Sequence, residues 1–170
     1  RKAVAHAIQV DDIIKYVMEG SAYPATQIIG PYAFDYSKNL KRPKYDPELA
    51  KKLLAEAGYP KGFEANFDTP NDRYVNDQQV AEAIAAQLAK IGIKLKVIAT
   101  PKADFFPKVD RFESPFLLAG WGTFSWQGTM NSFFRELKGT YGRNNRGRYS
   151  NPELEKKMDI SNAIMDDAKR

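Results

Sequence analysis

Phe63-Glu64-Ala65-Asn66-Phe67, the segment 77–91, and Ile93-Lys94-Leu95-Lys96-Val97 together decide the fold of this chain. The first and last alternate apolar and polar residues, as half-buried strands do. Between them Val80, Ile84, Leu88 and Ile91 recur at helical spacing, and Gly92 supplies a stop. Residues 63–98 therefore read strand–helix–strand. A crossover of that length favours two parallel strands joined right-handedly. The first strand runs out into Thr69-Pro70-Asn71-Asp72-Arg73-Tyr74, a polar loop carrying a cation and a ring. Ligands of open α/β sheets sit in the crevice beyond the strand ends. Arg73 and Tyr74 are thereby candidates for the wall of a binding site.

Downstream, Pro101 to Val109 reads as a short helix with Phe105, Phe106 and Val109 inward. Phe116 to Ala119 is a short apolar run ended by Gly120, the pattern of a buried strand at 115–119. Trp121-Gly122-Thr123-Phe124-Ser125-Trp126-Gln127-Gly128 follows. Large flat side chains among small hydrogen-bonding residues at a strand end suit a second wall of the same crevice. The alternative is that Trp121 and Trp126 are core aromatics flanking a turn. Thr129 to Leu137 is expected to be a helix burying Phe133, Phe134 and Leu137. Arg143, Arg146 and Arg148 around Gly142 and Gly147 are either an anion-binding turn or an exposed loop. Ser150-Asn151-Pro152-Glu153 opens a final helix, with Leu154, Met158 and Ile164 or Met165 on its inner face.

Upstream, residues 1–19 read as two helical pieces. Ala3, Val4, Ala7 and Ile8 face inward in the first. Asp11 or Asp12 caps the second, and Gly20 ends it. Residues 21–45 hold three prolines and several tyrosines, an irregular connection too long for a plain turn. Tyr23, Tyr32, Phe34 and Tyr36 either staple it to its own domain or wrap a neighbouring lobe. Asp46-Pro47-Glu48 is a cap followed by proline at the first helical position. Leu49, Leu53, Leu54 and Ala57 mark that helix's buried face, and Gly58 its end.

Composition removes several chemistries. The 170 residues include no cysteine and one histidine, His6. Thiol catalysis, zinc–thiolate sites, a Ser-His-Asp triad and a multi-histidine metal centre have almost nothing to draw on. His6 lies among alanines and reads as a partly buried structural histidine. The net charge of +5 is spread along helices in alternation with acids, without a basic stripe interleaved with aromatics. Nucleic acid is therefore not expected as a partner. No apolar run approaches the ~20 residues of a membrane helix. No phosphate loop and no defensible carboxylate pair is present, so no catalytic residue, metal or cofactor is assigned. Aromatic walls with a few placed polar groups describe a binding pocket. The chain begins and ends on helix-like sequence, which leads us to expect a piece of a longer polypeptide.

Four stretches, in order, carry a resemblance: Tyr45-Asp46-Pro47-Glu48 through Gly58-Tyr59-Pro60-Lys61-Gly62-Phe63; Ile84 to Leu88 with Ile91-Gly92-Ile93; Gly120-Trp121-Gly122; and Tyr149-Ser150-Asn151-Pro152-Glu153. The chain resembles the bacterial extracellular solute-binding proteins of family 5, the oligopeptide-, dipeptide- and nickel-binding receptors of ABC importers. The resemblance implies an α/β fold with a mixed sheet flanked by helices. Residues 1–170 would form a single lobe, the C-terminal one of a two-lobed, type II-like periplasmic binding protein. It also implies a missing N-terminal lobe, a small-molecule or peptide ligand between the lobes, and delivery to an ABC permease, the only link to a membrane. The protein would be periplasmic, or extracellular and membrane-anchored in a Gram-positive cell. The implied ligand contacts are Trp121, Gly122, Thr123, Phe124, Ser125 and Trp126 from one loop, with Arg73 and Tyr74 from the other. In peptide-binding members, the residue three after the Gly-Trp tryptophan is an aspartate that pairs with the peptide amine. Phe124 stands there in this chain, which favours a ligand without a free amine at that point. A sensor domain of a regulator with the same fold, or a small α/β enzyme, remain the other readings.

Overall fold

The computed structural model describes residues 1–33, 36–122 and 125–166. They fall into two compact units, residues 1–26 with 41–120, and residues 27–40 with 121–170. The first contains β1 (Phe63–Pro70), α4 (Asp77–Ala89) and β2 (Ile93–Thr100), preceded by α1 (Lys2–Ala7), α2 (Val10–Tyr16) and α3 (Pro47–Glu56) and followed by α5 (Lys102–Asp110). β1 and β2 pair in parallel, in register from Phe63 opposite Ile93 to Pro70 opposite Thr100. Both strands are entered through glycines in the left-handed region, Gly62 at φ 77° and Gly92 at φ 91°. A Cβ on Gly62 would fall 1.9 Å from the Gly92 carbonyl oxygen, so the two backbones pass where no side chain fits.

β1 is longer than its alternation predicts. Thr69 and Pro70, expected in the polar loop, are strand residues and fully buried, and the loop starts at Asn71. Two things extend the strand. The ladder with β2 continues to Thr100. On its other side, the Asp68 N–H donates to the Phe116 carbonyl at 3.0 Å and the Leu118 N–H donates to the Asp68 carbonyl at 2.9 Å. The strand expected at 115–119 is thus a single parallel bridge, Asp68 to Leu117. Asp68 is 2% exposed, and its Oδ1 accepts from Lys108 Nζ of α5 at 2.6 Å. A buried carboxylate needs such a partner. Periodicity cannot foresee it, because Lys108 is forty residues away.

The core gathers Ala3 and Ala7 of α1, Ala50 and Leu54 of α3, Leu88 of α4, Ile91 and Ile93. Alanines at the α1–α3 contact let the two helices lie close. That contact turns α3 away from its expected face: Ala50 is fully buried, while Leu49 and Ala57 are exposed. The start of α3 is as expected, with Asp46 Oδ1 accepting from the Leu49 N–H at 2.8 Å. The cap of α2 is not. Gln9, rather than Asp11 or Asp12, occupies the N-cap, and its own side chain makes no capping bond. Instead Gln87 of α4 brackets the Gln9 backbone, accepting from its N–H at 2.7 Å and donating to its carbonyl at 3.2 Å. His6 is half-buried, with Nδ1 2.9 Å from the Lys44 carbonyl.

The second unit holds α6 (Trp126–Phe133) and α7 (Pro152–Asn162). α6 starts three residues before the expected Thr129 because Ser125 caps it, its Oγ accepting from the Gly128 N–H at 3.1 Å. It ends at Phe133, leaving Leu137 exposed. In α7 the cap is Asn151, whose Oδ1 accepts from the Leu154 N–H; Ser150 bonds Glu136 instead. Met158 is buried as expected, but the helix stops at Asn162 and Met165 is exposed. Arg135 joins the two helices. Its side chain is buried, donates to Asp159 Oδ1 at 2.6 Å, and lies 4.2 Å over the Tyr141 ring. The turn at 139–148 is wound around buried Asn145, which accepts from the Tyr149 N–H and donates to the Arg135 and Tyr149 carbonyls. Among the described residues of 21–45, Ile29 and Ala33 are buried; Phe34 lies outside the described residues, and Tyr23, 97% exposed, does not staple the connection.

Candidate functional site

The loop after β1 is held at both ends. The Asn71 N–H donates to the Thr100 carbonyl at 3.0 Å, continuing the ladder past the strands. Asp72 Oδ1 accepts from the Lys102 N–H at 2.7 Å, and Lys102 Nζ lies 3.3 Å from Oδ2. Asp72 thereby caps α5 from a different segment. The Lys102 backbone N–H, more than the Lys102 ammonium, holds the Asp72 carboxyl below its ordinary value.

At the other end stands Asp77, the first residue of α4 and only 4% exposed. Its Oδ2 accepts from the N–H groups of Arg73 at 3.1 Å and Tyr74 at 3.0 Å, and its Oδ1 from the Gln78 N–H at 3.0 Å. One carboxylate thus satisfies the helix start and fixes the two residues singled out for ligand contact. The residue before it, Asn76, is left-handed at φ 52° and donates to the Val17 carbonyl.

Tyr74 reaches the second strand end. Its hydroxyl donates to the Gly120 carbonyl at 2.9 Å. Its ring lies so close that a Cβ on Gly120 would fall 2.9 Å from Tyr74 Cε1. Gly120 therefore does more than end an apolar run: it is the place where the ring can lie on the backbone. Arg73 is exposed, its guanidinium carbon 5.4 Å from the Tyr74 ring centroid. Among the described residues no carboxylate is within ion-pair distance of it. A cation left without an anion, resting on a ring that is itself hydrogen-bonded, is available to an incoming acidic group.

In the second unit Trp121 is 53% exposed, with its ring edge-on to Phe133 at 5.6 Å. Gly122 faces open space. Thr123 and Phe124, both singled out in the sequence, lie outside the described residues. Ser125 Oγ is engaged as the α6 cap. Trp126 is half-buried, and its indole N–H donates to Gln27 Oε1 at 3.0 Å; the Gln27 amide N–H in turn donates to the Ser37 carbonyl. The two tryptophans are thus unlike. Trp121 is largely exposed, whereas Trp126 hydrogen-bonds Gln27 of its own unit.

The structure brings together Arg73, Tyr74 and Gly120 in one unit, and Trp121, Ser125 and Trp126 in the other. Sequence reading missed Asp77, the Tyr74–Gly120 latch and Gln27. An acid at the first position of a helix was a visible signal for Asp77. The other two rest on partners 46 and 99 residues apart and leave no local trace. Among the described residues no group of three or more His, Cys, Asp or Glu could hold a metal ion. No helix there is long and apolar enough to cross a membrane.

A parallel β-α-β unit flanked by helices, with a polar loop after its first strand, defines an α/β protein. Residues 1–144 match the family described as bacterial extracellular solute-binding proteins, family 5 Middle, and the chain belongs to that family. It is 32% identical to heme-binding protein A of Haemophilus influenzae over 160 residues, 91% of this chain and 29% of that protein. It is 33% identical to the dipeptide-binding protein of Escherichia coli over 124 residues, 71% of this chain and 23% of that one. Among solved structures, the periplasmic binding protein DppA of Helicobacter pylori in complex with the peptide STSA superimposes with a TM-score of 0.88 at 27% identity, over 98% of this chain and 33% of that one. The expected α/β fold is therefore that of a portion of a periplasmic binding protein. The chain spans less than a third of the length of these two curated relatives.

Proposed function

We propose that this chain is part of the solute-binding component of an ABC importer, taking a peptide-like or other small anionic solute into a cleft between lobes and passing it to a membrane permease. The carrying observation is Arg73, an exposed guanidinium without an acidic partner among the described residues, on a loop fixed by Asp72, Asp77 and Tyr74. The names of the relatives agree with an anion site. Heme, a dipeptide and glutathione all carry carboxylates. Arg73 then holds the ligand carboxylate and Trp121 walls its apolar part. Tyr74 keeps the arginine in place, and Gly122, Thr123, Phe124, Ser125 and Trp126 complete the aromatic loop. Phe124 offers no carboxylate to an amine, so the ligand's anionic end is its principal handle. The reading places the protein in the periplasm, or outside the membrane of a Gram-positive cell, and gives it binding without turnover.

The test uses the full-length protein purified gently from its own cells. Native mass spectrometry identifies the retained molecule, which is then titrated calorimetrically into wild type, Arg73→Ala and Trp121→Ala. A charged hydrogen bond lost from a bound carboxylate is worth about 1.5–3 kcal/mol. Arg73→Ala should therefore weaken binding on the order of 10- to 100-fold, with unchanged thermal unfolding. A stacked tryptophan lost should weaken it at least about tenfold. Affinity unchanged in both variants would sink the site.

A further inference from the structure

α2 buries little of itself. Of its seven residues, all described, Ile13 alone is buried, with Val10 and Ile14 half-buried. A helix that short does not persist without outside contacts. Two side chains, one from α4 and one from its cap, meet it at its two ends. At the start, Gln87 brackets the Gln9 backbone, accepting from the N–H and donating to the carbonyl. At the end, Asn76 Nδ2 donates to the Val17 carbonyl at 2.8 Å. Gln87 is near the end of α4 and Asn76 just before its start. α2 therefore lies antiparallel to α4, fastened at both ends like a strap.

Asn76 is used unusually. It occupies the N-cap of α4, where asparagine ordinarily accepts from the helix's first N–H groups, but its side chain makes no capping bond. Asp77 takes part of that duty by accepting from the Gln78 N–H. The Asn76 backbone is left-handed at φ 52°, a conformation that asparagine tolerates better than most L-residues. The next residue, Asp77, is turned back toward the loop, where its Oδ2 accepts from the Arg73 and Tyr74 N–H groups. One residue thus shapes the loop that carries Arg73 and also ties that loop to α2.

We propose that Asn76 is a positioning residue for Arg73 and that α2 is the strap through which it acts: docking of α2 on α4 and ordering of the loop at 71–77 rise and fall together. Such a coupling is reciprocal. An anion that orders Arg73 tightens α2, and whatever loosens α2 loosens Arg73. What the positioning is for rests on the anion site proposed above. The coupling itself does not, since each of its links is a hydrogen bond within the first unit.

The experiment is residue-resolved amide hydrogen exchange by NMR on the full-length protein without added solute, in wild type, Asn76→Gly, Gln87→Ala and the double variant. Glycine keeps the left-handed turn and removes only the tether. Gln87→Glu, which keeps the acceptor for the Gln9 N–H, replaces the alanine variant if that one proves unstable. Gln87→Ala should speed exchange at 13–17 and, at the far end of the strap, at Arg73 and Tyr74. The loss of one modest hydrogen bond predicts an effect of about 3- to 10-fold in each place. Asn76→Gly should do the same. With the tether cut, adding Gln87→Ala should still speed α2 but leave Arg73 and Tyr74 where Asn76→Gly put them. Two results would overturn the proposal: exchange at 73–74 unmoved by Gln87→Ala, or moved equally with and without Asn76, which would mean that Gln87 acts along α4. Failure of the anion site shows separately, as unchanged affinity in Arg73→Ala, and leaves these exchange rates as predicted.

Discussion

The loop at 71–77 and the two tryptophans Trp121 and Trp126 were picked out as walls of a binding site, yet they are held by opposite means. In the first, two carboxylates, Asp72 and Asp77, accept four backbone N–H groups among them, and the charged side chain is left outside. In the second, side chains hold one another: Trp121 against Phe133, and Trp126 on Gln27. Backbone fixed by carboxylates positions a charge, and a charge acting on an anion is sensitive to direction. Packed rings supply area, which tolerates small displacements. Under the proposed function, the first loop is built to set where an anionic group sits.

Asp77→Ala should break this contrast most severely. It strands three backbone N–H groups next to a buried position, a loss of about 2–3 kcal/mol for a cap of this kind. Thermal unfolding of the full-length variant should fall clearly below wild type. Ligand affinity should fall as well, but only while Arg73 is present. In an Arg73→Ala background the added effect on affinity should vanish, because in the proposed site Asp77 acts on the ligand through Arg73. Equal affinity losses in both backgrounds would show that Asp77 supports the whole unit and does not position that arginine.

How the sequence announced these two regions follows the same division. The strand–helix–strand unit was legible because its signals are local: alternation in 63–67 and 93–97, helical spacing in 77–91, and glycines at the turns. The starts of α3 and the end of β2's crossover helix were legible for the same reason. What could not be read was set by partners far along the chain. Lys108 keeps Asp68 buried and so lengthens β1. Ala3 and Ala7 turn α3 so that Ala50, not Leu49, is inside. Gln87 displaces the aspartates that were expected to cap α2. At the candidate site, residue types singled out Arg73 and Trp121, but the bond that sets Trp126 apart from Trp121 is long-range.

Ser125 sharpens the comparison on the aromatic side. Its hydroxyl caps α6 by accepting from the Gly128 N–H, so Ser125→Ala should cost about 1 kcal/mol of stability. Ser125→Asn, which can cap equally well, should restore it. If Ser125 serves only as a cap, the asparagine variant also recovers full affinity for the retained ligand in calorimetry. Stability restored without affinity would instead place its hydroxyl on the ligand.

The smallest effect concerns Asp72, and it is a matter of pH. Its carboxyl is held below the ordinary value of 3.8, chiefly by the Lys102 backbone N–H, so the folded protein favours the charged form. The folded-state pKa lies below the unfolded one. The contribution is therefore complete at neutral pH, begins to fade as pH falls to the ordinary carboxylate value, and is gone once pH drops below the folded-state pKa. Because Asp72 is exposed, solvent screens it and the change is small. Asp72→Asn keeps an acceptor for the Lys102 N–H but removes the charge. The gap between wild-type and variant unfolding midpoints should be measurable near pH 7 and should close as the pH is lowered through the acid range. A gap that stays constant with pH would mean that the carboxylate charge contributes nothing, and that the cap on α5 works through its hydrogen bond alone.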